Sequence, residues 1–248
     1  MIIELPRTLR FIARHFAGTR KFFAEKYMSD AVTACRFEHI TYPFELAVMD
    51  GKRLIALAAG AIEAEEIALA RKYLTADDVV VEFGSGLGIA AVRVHRAIHP
   101  KAHYCFEANP VAVTYSRHLF KLNQMQIDVD QRALGNGLTS QFFAANDYIL
   151  SSFDVPKDTT YFKKIEIPTV CLATVVKEKN PTAVVCDIEG AEDDFLPPED
   201  LQGVEKVIIE LHPSNYGLQG VQRIRDKFAR NGFIPVEKKQ DTHCFLRR

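Results

Sequence analysis

The sequence lacks three features that would point to a partner or a compartment. Its 31 lysines and arginines are balanced by 32 aspartates and glutamates, so a net charge of -1 provides no general attraction to nucleic acid. It has no apolar run near the roughly 18 residues needed to cross a bilayer. Its N-terminus lacks the apolar centre and small-residue cleavage site of a signal peptide. We therefore expect a cytoplasmic protein that does not bind nucleic acid.

The chain is also poor in cysteine. Its five cysteines are far apart and show no C-x-x-C spacing, so the pattern indicates neither a metal site nor a redox pair. Cys105 and Cys186 lie in apolar, strand-like runs, where a free cysteine behaves as a small hydrophobe. We expect reduced thiols with a structural role.

The most informative stretch spans residues 79–88, with the sequence VVVEFGSGLG. Its β-branched and aromatic beginning is typical of a strand covered on both sides in a parallel sheet. Gly84, Gly86 and Gly88 follow at alternate positions, and glycine allows a sharp turn and a close approach of a ligand to the backbone. Residues 89–98 then predict a helix. A strand, a glycine loop and a helix in this order predict a nucleotide-binding site.

Two acids near this loop bear on the identity of the nucleotide. Glu82 stands two residues before Gly84, where it would attract a positively charged amino-acid group and repel a pyrophosphate. Glu107 ends the next strand about 20 residues later, where an acid accepts hydrogen bonds from ribose hydroxyls. Both S-adenosylmethionine and a nicotinamide dinucleotide contain such a ribose, so Glu107 alone does not separate them.

The dinucleotide fingerprint G-x-G-x-x-G/A gives a mixed result. Counted from Gly84, it places Ile89 where a small residue is needed for close packing of the helix. Counted from Gly86, it fits with Ala91 at the last position. The glycine loop therefore leaves both cofactor classes open.

The remaining chain alternates strand-like and helical segments, which predicts an α/β fold with a doubly wound, mostly parallel sheet of seven strands. We expect residues 61–248 to form this domain, with a β-rich insertion at about 141–170 that contains antiparallel strands. Residues 1–60 would form an N-terminal extension, made of a basic amphipathic helix in residues 1–28 and a hairpin that turns at Asp50-Gly51.

The basic helix is compatible with several contacts. It could lie on an anionic membrane, bind an acidic partner or cover the active site. We favour packing on the main domain or against a second copy in a homodimer, because surface helices usually bury their apolar stripe.

Two acidic motifs follow later strands of the domain. Residues 186–192 (CDIEGAE) close its fourth strand and residues 209–213 (IELHP) close its fifth, so both lie at the carboxyl edge of the sheet, where open α/β sheets bind ligands. Here the sequence resembles the FkbM family of S-adenosylmethionine-dependent methyltransferases. The D-x-E-G-A-E motif of that family is matched by Asp187, Glu189, Gly190, Ala191 and Glu192.

The resemblance extends over about residues 62–233. It includes the E-x-N-P stretch at 107–110, the A-L-G turn at 133–135 and the E-L-H end at 210–212. It departs in the first motif, where the family has aspartate and then G-A-N-x-G, whereas this chain has Glu82 and then G-S-G-L-G. That pattern is closer to methyltransferases in general.

The resemblance implies S-adenosylmethionine as cofactor and a class I methyltransferase-like fold. The glycines would contact the methionine part, Glu107 the ribose, and Ala133 and Leu134 the adenine. The full set of expected cofactor-binding residues is Glu82, Gly84, Ser85, Gly86, Gly88, Glu107, Ala108, Asn109, Ala133, Leu134 and Asp187.

The methyl group of a sulfonium is already activated, so the enzyme chiefly has to align an acceptor behind it. A hydroxyl acceptor also needs a base, and the expected catalytic residues are His212, Asp187 and Glu189. We hypothesise that His212 is the base, since histidine titrates nearest neutrality, with Asp187 near the sulfonium and Glu189 orienting the acceptor. The alternative is that His212 only hydrogen-bonds a loop.

A metal is not expected. The acids of residues 187–192 and His212 could together hold a divalent cation. Acids are also common in the first turn of a helix, where they complement its dipole, and we assign Glu192, Asp193 and Asp194 to that purpose.

The sequence therefore predicts an S-adenosylmethionine-dependent O-methyltransferase that acts on a small molecule, a sugar, or a glycan or lipid intermediate. Two alternatives stay open. One is a nicotinamide-dependent oxidoreductase, and the other is a cofactor-binding module without catalytic activity.

Overall fold

The computed structural model describes residues 2–4, 33–44, 48, 51–145 and 162–248. The strands are β1 (Ile2–Glu4), β2 (Ala34–Phe37), β3 (Ile40–Pro43), β4 (Val79–Phe83), β5 (Ala102–Phe106), β6 (Asp128–Asp130), β7 (Ala133–Leu134), β8 (Thr139–Ala145), β9 (Phe162–Val170), β10 (Ala183–Cys186), β11 (Lys206–Glu210), β12 (Phe233–Lys239) and β13 (Thr242–Arg247). The helices are α1 (Gly51–Ala59), α2 (Ala64–Tyr73), α3 (Ile89–Ile98), α4 (Pro110–Leu122), α5 (Leu172–Lys179), α6 (Glu192–Phe195) and α7 (Pro213–Arg230), with a 3-10 turn at Pro198–Asp200.

A seven-stranded sheet organises the fold, in the order β12-β13-β11-β10-β4-β5-β6. Neighbouring strands from β6 to β11 pair in parallel, whereas β13 is antiparallel to both β11 and β12. The α/β fold with a mostly parallel sheet of seven strands is therefore confirmed. The standard dinucleotide-binding order has six strands, 3-2-1-4-5-6, and no reversed strand between the last two.

Strand β4 lies at the centre of this sheet because its side chains can be buried on both faces. Val81 and Phe83 belong to one apolar core, and Val80 belongs to another under α2. Glu82 is the polar exception on the second face. The ends of β4, β5, β10 and β11 share one edge, as expected for parallel strands.

The hairpin predicted around Asp50-Gly51 is wrong. Gly51 begins α1, and Leu57 and Ala58 of that helix are buried in the core next to β2 and β3. Leucine and alanine are strong helix formers, so burial of a helical face outweighs the turn preference of an Asp-Gly pair. A hairpin does occur earlier, between β2 and β3, where Glu38 and His39 both have positive φ as in a type I′ turn.

The insertion contains the antiparallel strands that the sequence predicts. Strands β8 and β9 pair antiparallel from Thr139↔Pro168 to Ala145↔Phe162, and β7 adds to β9 in parallel. The chain leaves the main sheet after β6, and β7 joins this smaller sheet instead. Residues 146–161 lie outside the described residues, as does most of the basic helix predicted in residues 1–28.

The structure also describes the cysteines and the hydropathy of the helices. All five cysteines are free thiols, and four of them are buried. Among the residues that the structure describes, no helix combines the length and hydropathy that a membrane span requires.

Candidate active site

Carboxylates gather where β4, β5, β10 and β11 end. Burial, and then the charges of neighbouring acids, raises the pKa of Glu63, Glu66, Asp187 and Glu210. The acids concerned are Glu63, Glu66, Glu82, Glu107, Asp187, Glu189, Glu192 and Glu210. This edge is therefore rich in acidic groups although the net charge of the whole chain is only -1.

Glu107 turns its side chain onto the glycine loop. Its Oε2 accepts a hydrogen bond from the backbone N–H of Gly86 at 2.8 Å, and its Oε1 accepts one from Asn109 at 2.7 Å. Its own N–H donates to the carbonyl of Asp130 at 3.1 Å, which holds the residue at the end of β5. Burial raises the pKa of Glu107, and the N–H donors of Asn109 and Gly86 oppose that rise. The acid thus lies where a ribose-binding carboxylate is expected.

The residues after Glu107 continue the wall of this site. Asn109 caps α4, because its Oδ1 accepts from the N–H of Val111 at 2.9 Å and Pro110 occupies the first helical turn. Ala108 packs with Ala133 in a small apolar cluster. Leu134, also expected to contact adenine, is 2 % exposed and belongs to the main core.

The glycines of the loop are required by contacts within the protein. Gly84, Gly86 and Gly88 all have positive φ. A Cβ on Gly84 would lie 1.6 Å from the carbonyl oxygen of Asp187, and one on Gly88 would lie 2.5 Å from the ring of Phe120. Two of the three glycines therefore let β10 and α4 pack closely against the loop.

Glu82 and Ser85 are buried beneath this loop. The Oε2 of Glu82 lies 3.2 Å from Nε2 of His103 on the neighbouring strand, and the side chain is 6 % exposed. Ser85 is 1 % exposed, and its N–H donates to the carbonyl of Phe106 at 3.3 Å. Glu82 thus already has a partner within the protein.

Glu63 is a site residue that sequence reasoning missed. It precedes α2 with a φ of 51°, and its Oε2 accepts a hydrogen bond from the N–H of Ala90 in the first turn of α3 at 2.5 Å. Burial, followed by the charges of Glu82 and Glu107, raises the pKa of Glu63 to about 8. In a dinucleotide-binding fold, the N-terminus of this helix receives the pyrophosphate. Here a carboxylate of the protein occupies that position.

The three expected catalytic residues lie together. Nε2 of His212 is 3.5 Å from Oδ1 of Asp187 and 3.5 Å from Oε2 of Glu189, while Nδ1 is 2.9 Å from Oε1 of Glu192. Burial lowers the pKa of His212, but the hydrogen bond and charge of Glu192 and the charges of the other two acids outweigh it and raise the pKa to about 9. The surrounding acids therefore favour the protonated form of the imidazole.

The D-x-E-G-A-E segment forms a tight loop that reaches His212. Glu189 and Gly190 both have positive φ, and Asn215 of α7 donates from Nδ2 to the Glu189 carbonyl at 2.9 Å. A Cβ on Gly190 would lie 1.9 Å from that Nδ2, so only glycine fits. The N–H of Gly190 also donates to Glu192 at 3.1 Å.

The assignment of Glu192 to a helix-dipole role is a correction. Glu192 is 1 % exposed and bonded to His212, whereas a residue that only complements a dipole can remain in solvent. Asp193 has a local role, since it binds Lys227 of α7 at 2.5 Å. Sequence reasoning missed the contact of Glu192 with His212, because the two residues belong to different βα loops.

Comparison with known proteins establishes the fold class. The chain is similar to the crystal structure of M. jannaschii TYW2 in complex with AdoMet, with 15 % identity over 89 % of this chain and 90 % of that chain and a TM-score of 0.50. This match shows the Rossmann-like fold of the class I methyltransferases.

Two further solved structures are more distant. A methyltransferase from Pyrococcus furiosus has 10 % identity, covers 92 % of this chain and 96 % of its own, and has a TM-score of 0.48. M. capricolum TrmK in complex with S-adenosyl-homocysteine has 12 % identity, covers 73 % of this chain and 66 % of its own, and has a TM-score of 0.43. No protein-family model and no curated protein sequence matches the chain, so membership of the FkbM family stays a prediction.

Proposed function

We propose that this protein is an S-adenosylmethionine-dependent methyltransferase whose cofactor lies at the carboxyl edge of β4, β5 and β10. The observation that carries the proposal is the carboxylate of Glu63 at the N-terminus of α3. A dinucleotide places its anionic pyrophosphate at that point, and here the side chain of Glu63 already occupies it. The sulfonium and ammonium groups of S-adenosylmethionine are cationic and would be attracted to the same acids.

Glu107 is suited to hold the ribose of this cofactor. A carboxylate offers about four lone-pair sites, and the backbone donors of Gly86 and Asn109 use only part of this capacity. The remaining capacity is available to the two ribose hydroxyls. Ala108 and Ala133 supply an apolar wall beside it.

We propose His212 as the base that accepts the proton of an acceptor hydroxyl, with Glu189 orienting that acceptor. The acids around His212 raise its pKa and favour the protonated imidazole. A cofactor sulfonium beside Asp187 offsets one of these negative charges and makes release of the proton easier. Binding of the cofactor would therefore favour the neutral form of His212, which can accept a proton.

The proposed acceptor is a small molecule, a sugar, or a glycan or lipid intermediate. The acid-rich edge supports an acceptor without phosphates along its backbone, since nucleic-acid binding depends on neutralising phosphates with lysine and arginine. We also propose that the chain is of the FkbM type, with residues 61–248 as the cofactor-binding domain. The support is that Asp187, Glu189, Gly190 and Glu192 of the shared motif each have a distinct role around His212.

Titration calorimetry with S-adenosylhomocysteine and with NAD⁺ tests the cofactor. We expect binding of S-adenosylhomocysteine and no heat from NAD⁺. Binding of NAD⁺ alone would overturn the proposal in favour of an oxidoreductase.

A screen for transfer of a labelled methyl group to candidate acceptors tests catalysis, with His212→Gln as the variant. We expect the variant to bind S-adenosylhomocysteine normally and to lose most of its turnover, by a factor of about 100 or more. Binding of the cofactor without transfer to any acceptor would support a non-catalytic module.

A further inference from the structure

A second group of acids shares Asp187 with the group around His212. Oxygens of Glu66, Asp187 and Glu210 all lie within 4.8 Å of one another. The register of the sheet brings two of them together. Cys186 of β10 pairs with Ile209 of β11, so Asp187 and Glu210 form the next pair along these parallel strands and share one face.

Helix α2 supplies the third carboxylate. Its residues Leu69 and Ala70 pack in the same apolar cluster as Ile208 of β11. Glu66 lies one helical turn before them, on the same face, and therefore beyond the end of the apolar contact. The helix thus directs Glu66 to the point where β10 and β11 end.

Glu66 is buried without a partner. The residue is 5 % exposed, and among the described residues no hydrogen bond or ion pair reaches its carboxylate. A helix-dipole role does not account for this, because the adjacent Glu65 occupies the same first turn and is more exposed. Burial of an unpaired carboxylate is strongly unfavourable, so a positively charged ligand is required if the group is ionised.

The neighbouring groups do not supply that charge. In the part of the chain that the structure describes, His212 is the one cation within ion-pair reach of Asp187, at 3.5 Å, and none reaches Glu66 or Glu210. Glu63 and Glu82, which also interact electrostatically with Glu66, supply no positive charge either. Among the described residues, Glu66 and Glu210 are therefore carboxyl groups that no cation of the protein neutralises.

We infer that Glu66, Asp187 and Glu210 form a binding site for a hard divalent cation. Oxygen ligands are those that Mg²⁺, Mn²⁺ and Ca²⁺ prefer. Two opposite oxygens are about 4.2 Å apart on Mg²⁺ and about 4.6 to 5.2 Å apart on Ca²⁺, so the observed spacing fits such an ion with little movement. Three carboxylates leave coordination positions for water or for a ligand oxygen.

A role for this cation in the reaction rests on the proposed function, whereas the site itself does not. An ion at the ends of β10 and β11 would lie beside the position proposed for the acceptor. Coordination of an acceptor hydroxyl would place its oxygen and lower its pKa, which assists removal of the proton.

Titration of Mn²⁺ into the full-length protein, followed by calorimetry and by the electron paramagnetic resonance signal of the free ion, tests the site. We expect one bound ion and a loss of affinity of about tenfold or more in Glu66→Gln and Glu210→Gln. Glu65→Gln is the matched control on the same helix and should bind Mn²⁺ as the wild type does. Absence of Mn²⁺ binding, or equal binding by Glu66→Gln, would overturn the inference.

Thermal unfolding gives a second reading of the same variants. Mn²⁺ should raise the Tm of the wild type and of Glu65→Gln but not that of Glu66→Gln. Without Mn²⁺, Glu66→Gln should be at least as stable as the wild type, because it removes a buried unpaired charge. If Glu66→Gln proved less stable and the wild type gained nothing from Mn²⁺, the inference would fail.

Calorimetry with S-adenosylhomocysteine on the same preparations separates this inference from the proposed function. Normal binding of S-adenosylhomocysteine without Mn²⁺ binding rejects the cation site alone. Mn²⁺ binding without S-adenosylhomocysteine binding rejects the proposed cofactor and leaves the cation site standing.

Discussion

Oε1 of Glu192 lies 2.9 Å from Nδ1 of His212, although the two residues are 20 positions apart in the chain. Glu192 is almost completely buried, so it fixes the orientation of the imidazole from the protein side. The other ring nitrogen, Nε2, consequently faces Asp187 and Glu189. The loop after β10 and the end of β11 are thereby joined into one unit at the sheet edge.

Replacing Glu192 with glutamine tests this orientation. The variant keeps the shape and removes the charge, so the pKa of His212 should fall from about 9. Turnover should fall by about 10-fold to 100-fold, as when a group that orients a functional histidine is changed, while binding of S-adenosylhomocysteine is retained. NMR titration of the His212 ring measures the pKa, and the exposed Asp194→Asn serves as control. An unchanged pKa would show that Glu192 does not set the charge state of His212.

Replacing Glu107 with glutamine should weaken the binding of S-adenosylhomocysteine. The amide offers one acceptor oxygen where the carboxylate offers two, so a charged hydrogen bond to the ribose is lost. Such bonds contribute about 1.5 to 3 kcal/mol, which corresponds to a loss of affinity of about 10-fold to 100-fold. Calorimetry measures it, with the exposed Glu199→Gln as control. Equal affinity of Glu107→Gln and Glu199→Gln for S-adenosylhomocysteine would show that the ribose does not bind to Glu107.

Alanine at Gly84 should be far more costly than alanine at Gly203. The two glycines have similar positive φ, 76° and 81°, but a Cβ at Gly84 meets the Asp187 carbonyl whereas one at Gly203 meets nothing within 4 Å. Gly203→Ala should lose about 1 to 2 kcal/mol from backbone strain alone. Gly84→Ala should lose at least about 3 kcal/mol, since the backbone of β10 must shift. Denaturant unfolding compares the two, and similar losses would mean that the close approach is unimportant.

Arg93 links the N-terminal hairpin to α3 and should contribute strongly to stability. It is 4 % exposed and donates from Nε to the hydroxyl of Tyr42 and from a terminal nitrogen to the Leu57 carbonyl, both at 3.1 Å. Arg93→Met leaves the Tyr42 hydroxyl without this partner and removes one of two donors to the Leu57 carbonyl, which keeps the N–H of Gly60, so it should lose about 1 to 3 kcal/mol. Tyr42→Phe should lose about 1 kcal/mol.

The double variant of Arg93 and Tyr42 supplies the check. Residues that share a hydrogen bond are not additive, so the double variant should lose less than the two single losses combined, by about 0.5 kcal/mol or more. Strict additivity in urea unfolding would indicate that the two side chains do not interact.

His95 should make the protein less stable in mild acid. Burial, together with the positive charges of His103 and His99, lowers the pKa of His95 to about 4 from its usual 6.5. The unfolded chain therefore binds a proton below about pH 6.5 that the folded chain does not bind until about pH 4, and stability falls as the pH drops through this window.

His95→Leu removes this dependence. Nδ1 of His95 is buried without a hydrogen-bond partner among the described residues, so leucine should be tolerated at pH 7. The free energy of unfolding of the variant should rise relative to that of the wild type between pH 7 and pH 5. A constant difference across that range would contradict the lowered pKa.

Local signals were sufficient for the elements that position the site. Asn109 and Pro110 mark the beginning of α4, because asparagine is a good capping residue and the fixed φ of proline suits the first turn of a helix. The apolar run of β4 and the alternation of later strands with helices likewise predict the central sheet. The hairpin predicted from the Asp50-Gly51 pair was wrong, because the turn preference of this pair stabilises less than burial of Leu57 and Ala58 in a helix does.

Only part of the site can be predicted from the sequence. His212, Asp187 and Glu107 follow strands directly, so the rule that ligands bind at the carboxyl edge identifies them. Glu63 and Glu66 flank the start of a helix and have the appearance of ordinary surface acids. Their burial depends on how α2 packs against α3 and β11, which a single sequence does not reveal.

The most direct test of the central claim is the structure of the protein crystallised with S-adenosylhomocysteine. The account predicts that both ribose hydroxyls lie within about 3 Å of the Glu107 carboxylate, with the sulfur on the side of Asp187. A nucleoside bound away from Glu107, or a Glu107 side chain turned from the ligand, would contradict it.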